Sequence, residues 1–183
     1  RDVLGSRGLG DVYKRQVRME LHANSLAESL SRIYDGKFVP LHAPARVSSR
    51  NIRDELLKED SLLPAIYLTQ KLDIAVVGIG YPNEKSAIMA TGYFKENEIE
   101  SLIDRKVAGE LCMQFYDIYG DTAPYKDDNN VIGMDISMLR SVPRSIGIAG
   151  GVEKLRAVRG AINGHYINTL ITDIECAEAL ISE

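Results

Sequence analysis

The amino-acid sequence predicts an α/β domain with an open, mostly parallel, Rossmann-like sheet and flanking helices. Short apolar runs alternate with amphipathic stretches of helical period, and the runs at residues 73–80 and 144–149 lead into glycines. A strand, a helix and a second parallel strand of the same sheet make a right-handed crossover, and this pattern repeats along the chain. The composition, 45% hydrophobic and 26% charged, is typical of a globular protein.

Charge and composition exclude several functional classes. The chain has 22 basic and 26 acidic side chains, a net charge of −4, which argues against a free-standing nucleic-acid binder. No apolar run reaches the roughly 18–20 residues that a membrane span requires, so we expect a cytoplasmic protein without a membrane partner. Cys112 and Cys176 are predicted to be small buried hydrophobic residues. The three histidines lie far apart in the sequence, so no metal site and no cofactor is predicted.

The first sixteen residues are predicted to be foreign to the domain. Their charges and glycines follow no period, and they lack the apolar stretch of a signal peptide. Back-translated as GAT GTG TAT AAG AGA CAG, residues 11–16 resemble the transposon-end adapter used to prepare sequencing libraries. We therefore expect residues 1–16 to derive from an adapter and residues 17–183 to form the domain. The alternative is a native basic loop.

The N-terminal half is predicted to be mainly helical. Helices are expected over residues 20–34, 49–58 and 61–72, and a short strand over residues 37–41. Ser49 and Ser61 are candidate N-caps. Pro64 falls within the first turn of the third helix, where the missing N–H costs least.

The C-terminal half is predicted to contain the sheet. Residues 73–80 form a continuous apolar run, which predicts a strand that is covered on both faces. Further strands are expected over residues 110–116, 131–136, 144–149 and 168–172, with a polar turn at 117–130. Helices are expected over residues 95–106, 152–162 and 173–181.

Glycines at two strand ends predict a ligand site, because ligands of open α/β sheets bind outside the carboxyl ends of the strands. Gly78 and Gly80 end the strand at 73–80, and Gly150 and Gly151 connect the strand at 144–149 to a helix. Lys154 lies in the first turn of that helix, where a cation opposes the helix dipole. A phosphate between the glycine N–H groups and this ammonium would reverse the effect. A tight turn beside a solvated lysine is the alternative interpretation.

The sequence lacks the motifs of several common enzyme and nucleotide sites. Neither strand end continues as GxGxxG, and GxxxxGK[ST], GxSxG and HExxH are also absent. Acidic side chains at predicted strand ends are candidates to bind sugar hydroxyls: Glu110, Asp117, Asp121 and Asp173. Taken one by one, these residues are better explained as surface groups or helix caps, and Asp173 in particular as the N-cap of the last helix.

Six segments together resemble the effector-binding domain of SorC/DeoR-type bacterial transcriptional regulators. They are ANSLAESL (23–30), PLHAPARVSS (40–49), DIAVVGIG (73–80), GELCMQFYDIYGD (109–121), VIGMDISMLRSVPRSIGIAGGVEKLRAV (131–158) and NTLITDIECAEAL (168–180). The stretch at 142–158 is the most specific. The resemblance covers nearly all of the domain.

The resemblance implies a sensor rather than an enzyme. Such domains are similar in fold to sugar-phosphate isomerases and glucosamine-6-phosphate deaminases, and they bind a phosphorylated sugar. Ligand binding then changes the oligomeric state of the regulator, or the DNA affinity of its N-terminal helix-turn-helix, which contacts operator DNA. By position, Lys154 matches a phosphate contact and Glu110 matches an acidic residue facing sugar hydroxyls. Asp173 matches a Thr-Asp strand-end motif, and Gly78 and Gly80 match the glycines that end the central strand.

The sequence also departs from this family. The helix-turn-helix and the first strand with its phosphate loop are expected to be missing at the N-terminus, so the fragment should not recognise an operator. Ile174 stands where acidic residues are common. The alternative function is a sugar-phosphate isomerase or deaminase with Glu110 or Asp117 as general base. Against it, no DGADE-like run and no Lys-Gly-Gly-Gly stretch occurs. A protein-interaction domain without a small ligand is a third possibility.

Overall fold

A computed structural model describes residues 23–83, 86, 88 and 92–182. The predicted adapter segment, residues 1–16, lies outside them. The chain divides into two compact units, residues 1–42 and 43–183. In the part that the structure describes, no helix combines the length and the apolar character needed to cross a membrane.

The first unit contains helix α1, Ala23–Ile33. The strand predicted over residues 37–41 does not form, and this prediction is wrong. The Asn24 side chain binds both backbone groups of Leu41, through Nδ2 to the carbonyl oxygen (3.1 Å) and Oδ1 to the N–H (3.3 Å). Pro40 has no N–H to donate, so this segment has little to offer a neighbouring strand.

Among its described residues, the second unit contains five strands and five further α-helices. In chain order these are α2 (Arg50–Leu56), α3 (Leu63–Thr69), β1 (Ile74–Gly80), α4 (Glu96–Asp104), β2 (Gly109–Leu111), β3 (Gln114–Tyr116), β4 (Arg144–Ile148), α5 (Leu155–Asn163), β5 (Thr169–Ile171) and α6 (Ile174–Ile181). Short 3-10 turns lie at Ala123–Tyr125, Ile136–Ser141 and Val152–Lys154. Ser49 caps α2, as predicted, by accepting a hydrogen bond from the Ile52 N–H. Ser61 does not cap α3, which begins after Leu62.

Two of the predicted strands are corrected by the structure. Residues 110–116 form a hairpin rather than one strand, because Cys112 (φ 52°) and Met113 (φ 61°) reverse the chain between β2 and β3. A two-residue turn with both φ angles positive matches the twist of the flanking strands. Residues 131–136 contain only a single bridge, from Val131 to Arg46.

The sheet is mixed rather than mostly parallel, and its strand order is β3-β2-β1-β4-β5. The pairs β1–β4 and β4–β5 are parallel, as the crossovers predict, whereas β1–β2 and β2–β3 are antiparallel. The two-residue turn of the hairpin is too short for a crossover, so β2 and β3 pair in antiparallel fashion. Gly80 at the end of β1 therefore faces Glu110 at the start of β2.

One face of the sheet carries the main core, whereas apolar side chains on the other face are exposed in the described part of the chain. Ala75 and Ile79 of β1 lie on the covered face, where α5 presents the small residues Ala157 and Ala161. On the opposite face, Val76 remains 58% exposed. Its neighbours on that face are Ile74, Ile148 and Ile171, all exposed. The apolar run of β1 predicted cover on both faces, and in the described structure only one is covered.

The two cysteines differ in burial. Cys176 of α6 is fully buried in the main core, as predicted. Cys112 is only partly buried at the turn of the hairpin, and burial raises the pKa of its thiol to about 12.

Candidate ligand-binding cavity

A cavity of about 520 Å³ lies at the carboxyl end of β1, where the rule for open α/β sheets places a ligand. Its lining comes from the end of β1 and the loop that follows, from β2, and from the turn before α5. The lining residues are Gly80, Tyr81, Asn83, Ser86, Ile88, Glu110, Glu153 and Lys154.

Glu110 forms one wall of the cavity because Gly80 leaves room for it. A Cβ at Gly80 would overlap the Glu110 carboxylate and lie 2.8 Å from its Cδ. The Met113 N–H, at the turn of the same hairpin, donates to Oε2 at 2.9 Å. The position of the Glu110 side chain is therefore set both by the pairing of β2 with β1 and by the turn between β2 and β3.

Burial raises the pKa of the Glu110 carboxyl to about 7. The Met113 N–H and the Lys154 ammonium oppose this shift, since both favour the charged form. Near neutral pH, both the protonated and the charged form of this carboxyl are therefore populated. It can therefore accept a hydrogen bond from a ligand hydroxyl or, when protonated, donate one.

Lys154 forms another wall. It ends the Val152–Lys154 turn and takes the N-cap position of α5, one turn later than the predicted start of that helix. Among the residues that the structure describes, no carboxylate lies within 4.0 Å of its ammonium group. A cation at this end of a helix is unfavourable until an anion approaches it.

Glu153 is a cavity residue that the sequence analysis did not select. Its carboxylate folds back over Gly151, where a Cβ would lie 2.6 Å from the Glu153 Cδ. The polar loop after β1, with Asn83 and Ser86, was also missed. Polar residues directly after the carboxyl end of a strand were the signal that could have identified this loop.

Gly150, Gly151 and Asp173 lie together in a second cluster, which we call the glycine corner. The Gly151 N–H donates to Asp173 Oδ2 at 2.5 Å. Asp173 Oδ1 accepts from the Cys176 N–H at 2.8 Å and so caps α6. These two hydrogen bonds lower the pKa of the Asp173 carboxyl, and the bond from the Cys176 N–H has the larger effect.

The structure therefore separates the candidate residues into three groups. Gly80, Glu110 and Lys154 line the cavity. Gly150, Gly151 and Asp173 form the glycine corner, and do not belong to the cavity lining found among the described residues. Gly78 belongs to neither group: it pairs with Ile148 on β4, and no heavy atom of another described residue, apart from its two chain neighbours, lies within 4 Å of its Cβ position.

Two other candidate acids are engaged locally. Asp117 Oδ1 accepts from the N–H groups of Tyr119 and Asp121, and Asp121 Oδ1 accepts from the Ala123 N–H. Both carboxylates stabilise the turn after β3. Within the described ranges, no three His, Cys, Asp or Glu side chains are grouped as a metal site.

Comparison with known proteins places residues 9–182 in the family described as "Putative sugar-binding domain". The sorbitol operon regulator of Klebsiella pneumoniae is 33% identical over 138 residues, which are 75% of this chain and 44% of the regulator. The chain spans about half the length of the curated relatives that it matches.

Solved structures of similar proteins agree in fold. The full-length sorbitol operon regulator SorC of Klebsiella pneumoniae matches with a TM-score of 0.77 and 32% identity, over 87% of this chain and 52% of that one. A DeoR family transcriptional regulator of Listeria monocytogenes matches with a TM-score of 0.82 and 25% identity, over 88% of this chain and 65% of that one.

Proposed function

The chain belongs to the sugar-binding domain family of SorC/DeoR transcriptional regulators, and from this premise we propose that its cavity binds a phosphorylated sugar. In this proposal the phosphate contacts Lys154, and the sugar hydroxyls contact Glu110 and Glu153. The observation that carries the proposal is that an ammonium group without a carboxylate partner among the described residues shares one cavity with a proton-exchanging carboxyl.

Lys154 supports the phosphate end of the ligand. Hydrogen bonds between an ammonium and a phosphate are charge-assisted and about twice as strong as neutral ones. The N-terminus of α5 adds a favourable dipole for an anion at the same place. The glycine corner offers less to the phosphate, since its Gly151 N–H is already bonded to Asp173.

Glu110 and Glu153 support the sugar end. Carboxylate oxygens accept hydrogen bonds from vicinal hydroxyl groups, and both residues line the cavity. A cavity of about 520 Å³ also falls within the range of small-molecule sites.

At the level of the whole protein, we propose a regulator of carbohydrate metabolism. The ligand would control operator binding by a helix-turn-helix domain, and the regulator would act as a homo-oligomer. The names of the relatives describe those proteins as operon or transcriptional regulators. The net charge of −4 fits a domain that does not itself contact the DNA.

We infer binding without turnover. Of the two general bases considered for an isomerase, Asp117 is engaged in its own turn, and only Glu110 of this pair lines the cavity. Aldose–ketose conversion assays on the purified protein should stay at background with aldose phosphates that carry a 2-hydroxyl, such as D-glucose 6-phosphate and D-ribose 5-phosphate. Turnover above background would favour the enzyme instead.

A thermal-shift screen tests the binding proposal. The probes are matched pairs, D-sorbitol with D-sorbitol 6-phosphate and 2-deoxy-D-ribose with its 5-phosphate. A ligand at 100 times its Kd should stabilise the protein by about 2.7 kcal/mol. No response to these or to a wider set of sugar phosphates, with the protein well folded, would contradict the proposal.

The substitution Lys154→Ala then tests the phosphate contact. We expect it to weaken a phosphorylated ligand by roughly 10-fold to 100-fold, the loss of one charge-assisted contact, and its unphosphorylated partner by much less. Arg156→Ala, which removes an exposed cation two residues away, is the matched control and should leave both affinities unchanged. Equal losses for both ligands in the Lys154 variant would remove Lys154 from the phosphate role.

A further inference from the structure

The Asp173 carboxylate joins two elements that are far apart in the sequence. Its Oδ1 accepts from the Cys176 N–H within α6, and its Oδ2 accepts from the Gly151 N–H in the turn before α5. The first bond is an ordinary helix cap. The second reaches 22 residues back, to the turn that ends in Lys154.

The two glycines make this contact possible. A Cβ at Gly150 would lie 2.8 Å from Asp173 Oδ2, closer than side-chain atoms normally approach. Gly151 has φ 93°, a conformation that other residues rarely adopt. The two glycines therefore leave space for the Asp173 carboxylate, a group of the protein rather than of a ligand.

The turn from Val152 to Lys154 has few other anchors. None of its three residues is buried, and Val152 is 54% exposed. Its internal bonds run from the Lys154 N–H to the Gly151 carbonyl and from the Leu155 N–H to the Val152 carbonyl. The Asp173–Gly151 bond attaches the beginning of this turn to α6.

We propose that Asp173 is a positioning residue for Lys154: its carboxylate holds the Gly151 N–H, and the turn fixed in this way presents the Lys154 ammonium to the cavity. Asp173 then does not touch the ligand. The consequence for ligand affinity depends on the proposed function of the cavity, whereas the effect on the turn does not.

The substitution Asp173→Asn separates the two bonds. The two N–H groups donate to different oxygens of Asp173, and an asparagine side chain keeps an oxygen at only one of these two positions. It can therefore cap α6 or accept from Gly151, and asparagine remains a good N-cap. Asp135→Asn is the matched control, because the single Oδ1 of Asp135 accepts both of its bonds, from the N–H and Oγ of Ser137. Gly150→Ala breaks the same contact from the other side and serves as the second variant.

Two measurements on the protein without ligand test the proposal. Amide hydrogen exchange over residues 151–155 should become at least about 10-fold faster in Asp173→Asn and in Gly150→Ala, and should be unchanged in Asp135→Asn. Because Lys154 holds the pKa of Glu110 down, carboxyl-carbon NMR titration should show that pKa rising above about 7 in the first two variants alone. Unchanged exchange at 151–155, or faster exchange with the Glu110 titration unmoved, would overturn the positioning role.

A third measurement uses a sugar phosphate that the wild-type protein binds. Its affinity should fall about 10-fold in Asp173→Asn, and that of the unphosphorylated partner should change less. Equal losses for the two ligands would overturn the link to Lys154. If no sugar phosphate binds the wild type, the proposed function of the cavity fails, and the exchange and titration results still decide the role of Asp173.

Discussion

The two glycine-rich strand ends of this domain differ in what fills the space beside the glycine. At the end of β1, the missing Cβ of Gly80 admits the Glu110 carboxylate, which faces an open cavity. At the end of β4, the glycine corner admits the Asp173 carboxylate, which is already bonded to two backbone N–H groups. The same sequence signal therefore produces an open cavity in one place and a closed structural junction in the other.

The two carboxylates also differ in their electrostatics. Burial raises the pKa of Glu110, which receives only one backbone N–H, from Met113. The two N–H groups that donate to exposed Asp173 lower its pKa. A raised pKa at a cavity wall is typical of functional positions, whereas a lowered pKa at a helix cap is typical of structural ones.

The largest effect that we expect from this difference is a pH dependence of the free energy of unfolding. The pKa of Glu110 rises from 4.5 to about 7 on folding, so between these values the folded protein holds a proton that the unfolded chain releases. The free energy of unfolding should therefore fall as the pH rises through this window, by up to about 3 kcal/mol. Glu110→Gln should flatten this slope in urea unfolding measured from pH 4.5 to 7.5. An unchanged slope would show that the carboxyl is not buried in the cavity wall.

The next test compares two glycines of β1. Gly80→Ala should displace the Glu110 carboxylate into the cavity and break its bond with Met113, costing about 1–2 kcal/mol of folding free energy and about 10-fold in ligand affinity. Gly78→Ala is the control: in the described part of the chain nothing beyond its two chain neighbours lies within 4 Å of its Cβ position, so stability should change by less than about 0.5 kcal/mol. Thermal unfolding and ligand titration measure both. Equal effects at the two positions would mean that Gly80 makes no special room for Glu110.

The smallest expected effect lies beside the glycine corner. Thr172 Oγ1 is buried and has no hydrogen-bond partner among the residues that the structure describes. Thr172→Val, which keeps the shape, should be neutral or stabilise the protein by up to about 1 kcal/mol in chemical unfolding. A destabilisation above about 1 kcal/mol would show that this hydroxyl has a polar partner in the folded protein. The interior beside the glycine corner would then not be closed to polar groups.

Local sequence features predicted much of the fold. The apolar runs located β1, β4 and β5, and a serine or aspartate directly before a predicted helix located the N-caps Ser49 and Asp173. The hairpin was missed because its turn, Cys112-Met113, lacks the Asn-Gly signature that usually marks positive φ angles. The exposed face of the sheet was missed because a continuous apolar run has the same sequence pattern whether one face of the strand or both faces are covered.

The site was predicted only in part, for a related reason. Lys154, Glu110 and Gly80 were selected and lie in one cavity, but their meeting depends on the register that sets Gly80 opposite Glu110, which no local pattern encodes. Asp173 was selected with two interpretations, and its bond to Gly151 depends on a contact across 22 residues.

The central claim is that the cavity beside Glu110 and Lys154, and not the glycine corner, binds the ligand. A crystal structure of the protein with the sugar phosphate that gives the largest thermal shift tests it most directly. We expect the phosphate within hydrogen-bond distance of Lys154 Nζ, a hydroxyl on the Glu110 carboxylate, and the Asp173–Gly151 bond intact. A phosphate on the Gly150 and Gly151 N–H groups with Asp173 displaced, or a ligand bound outside this cavity, would contradict the claim.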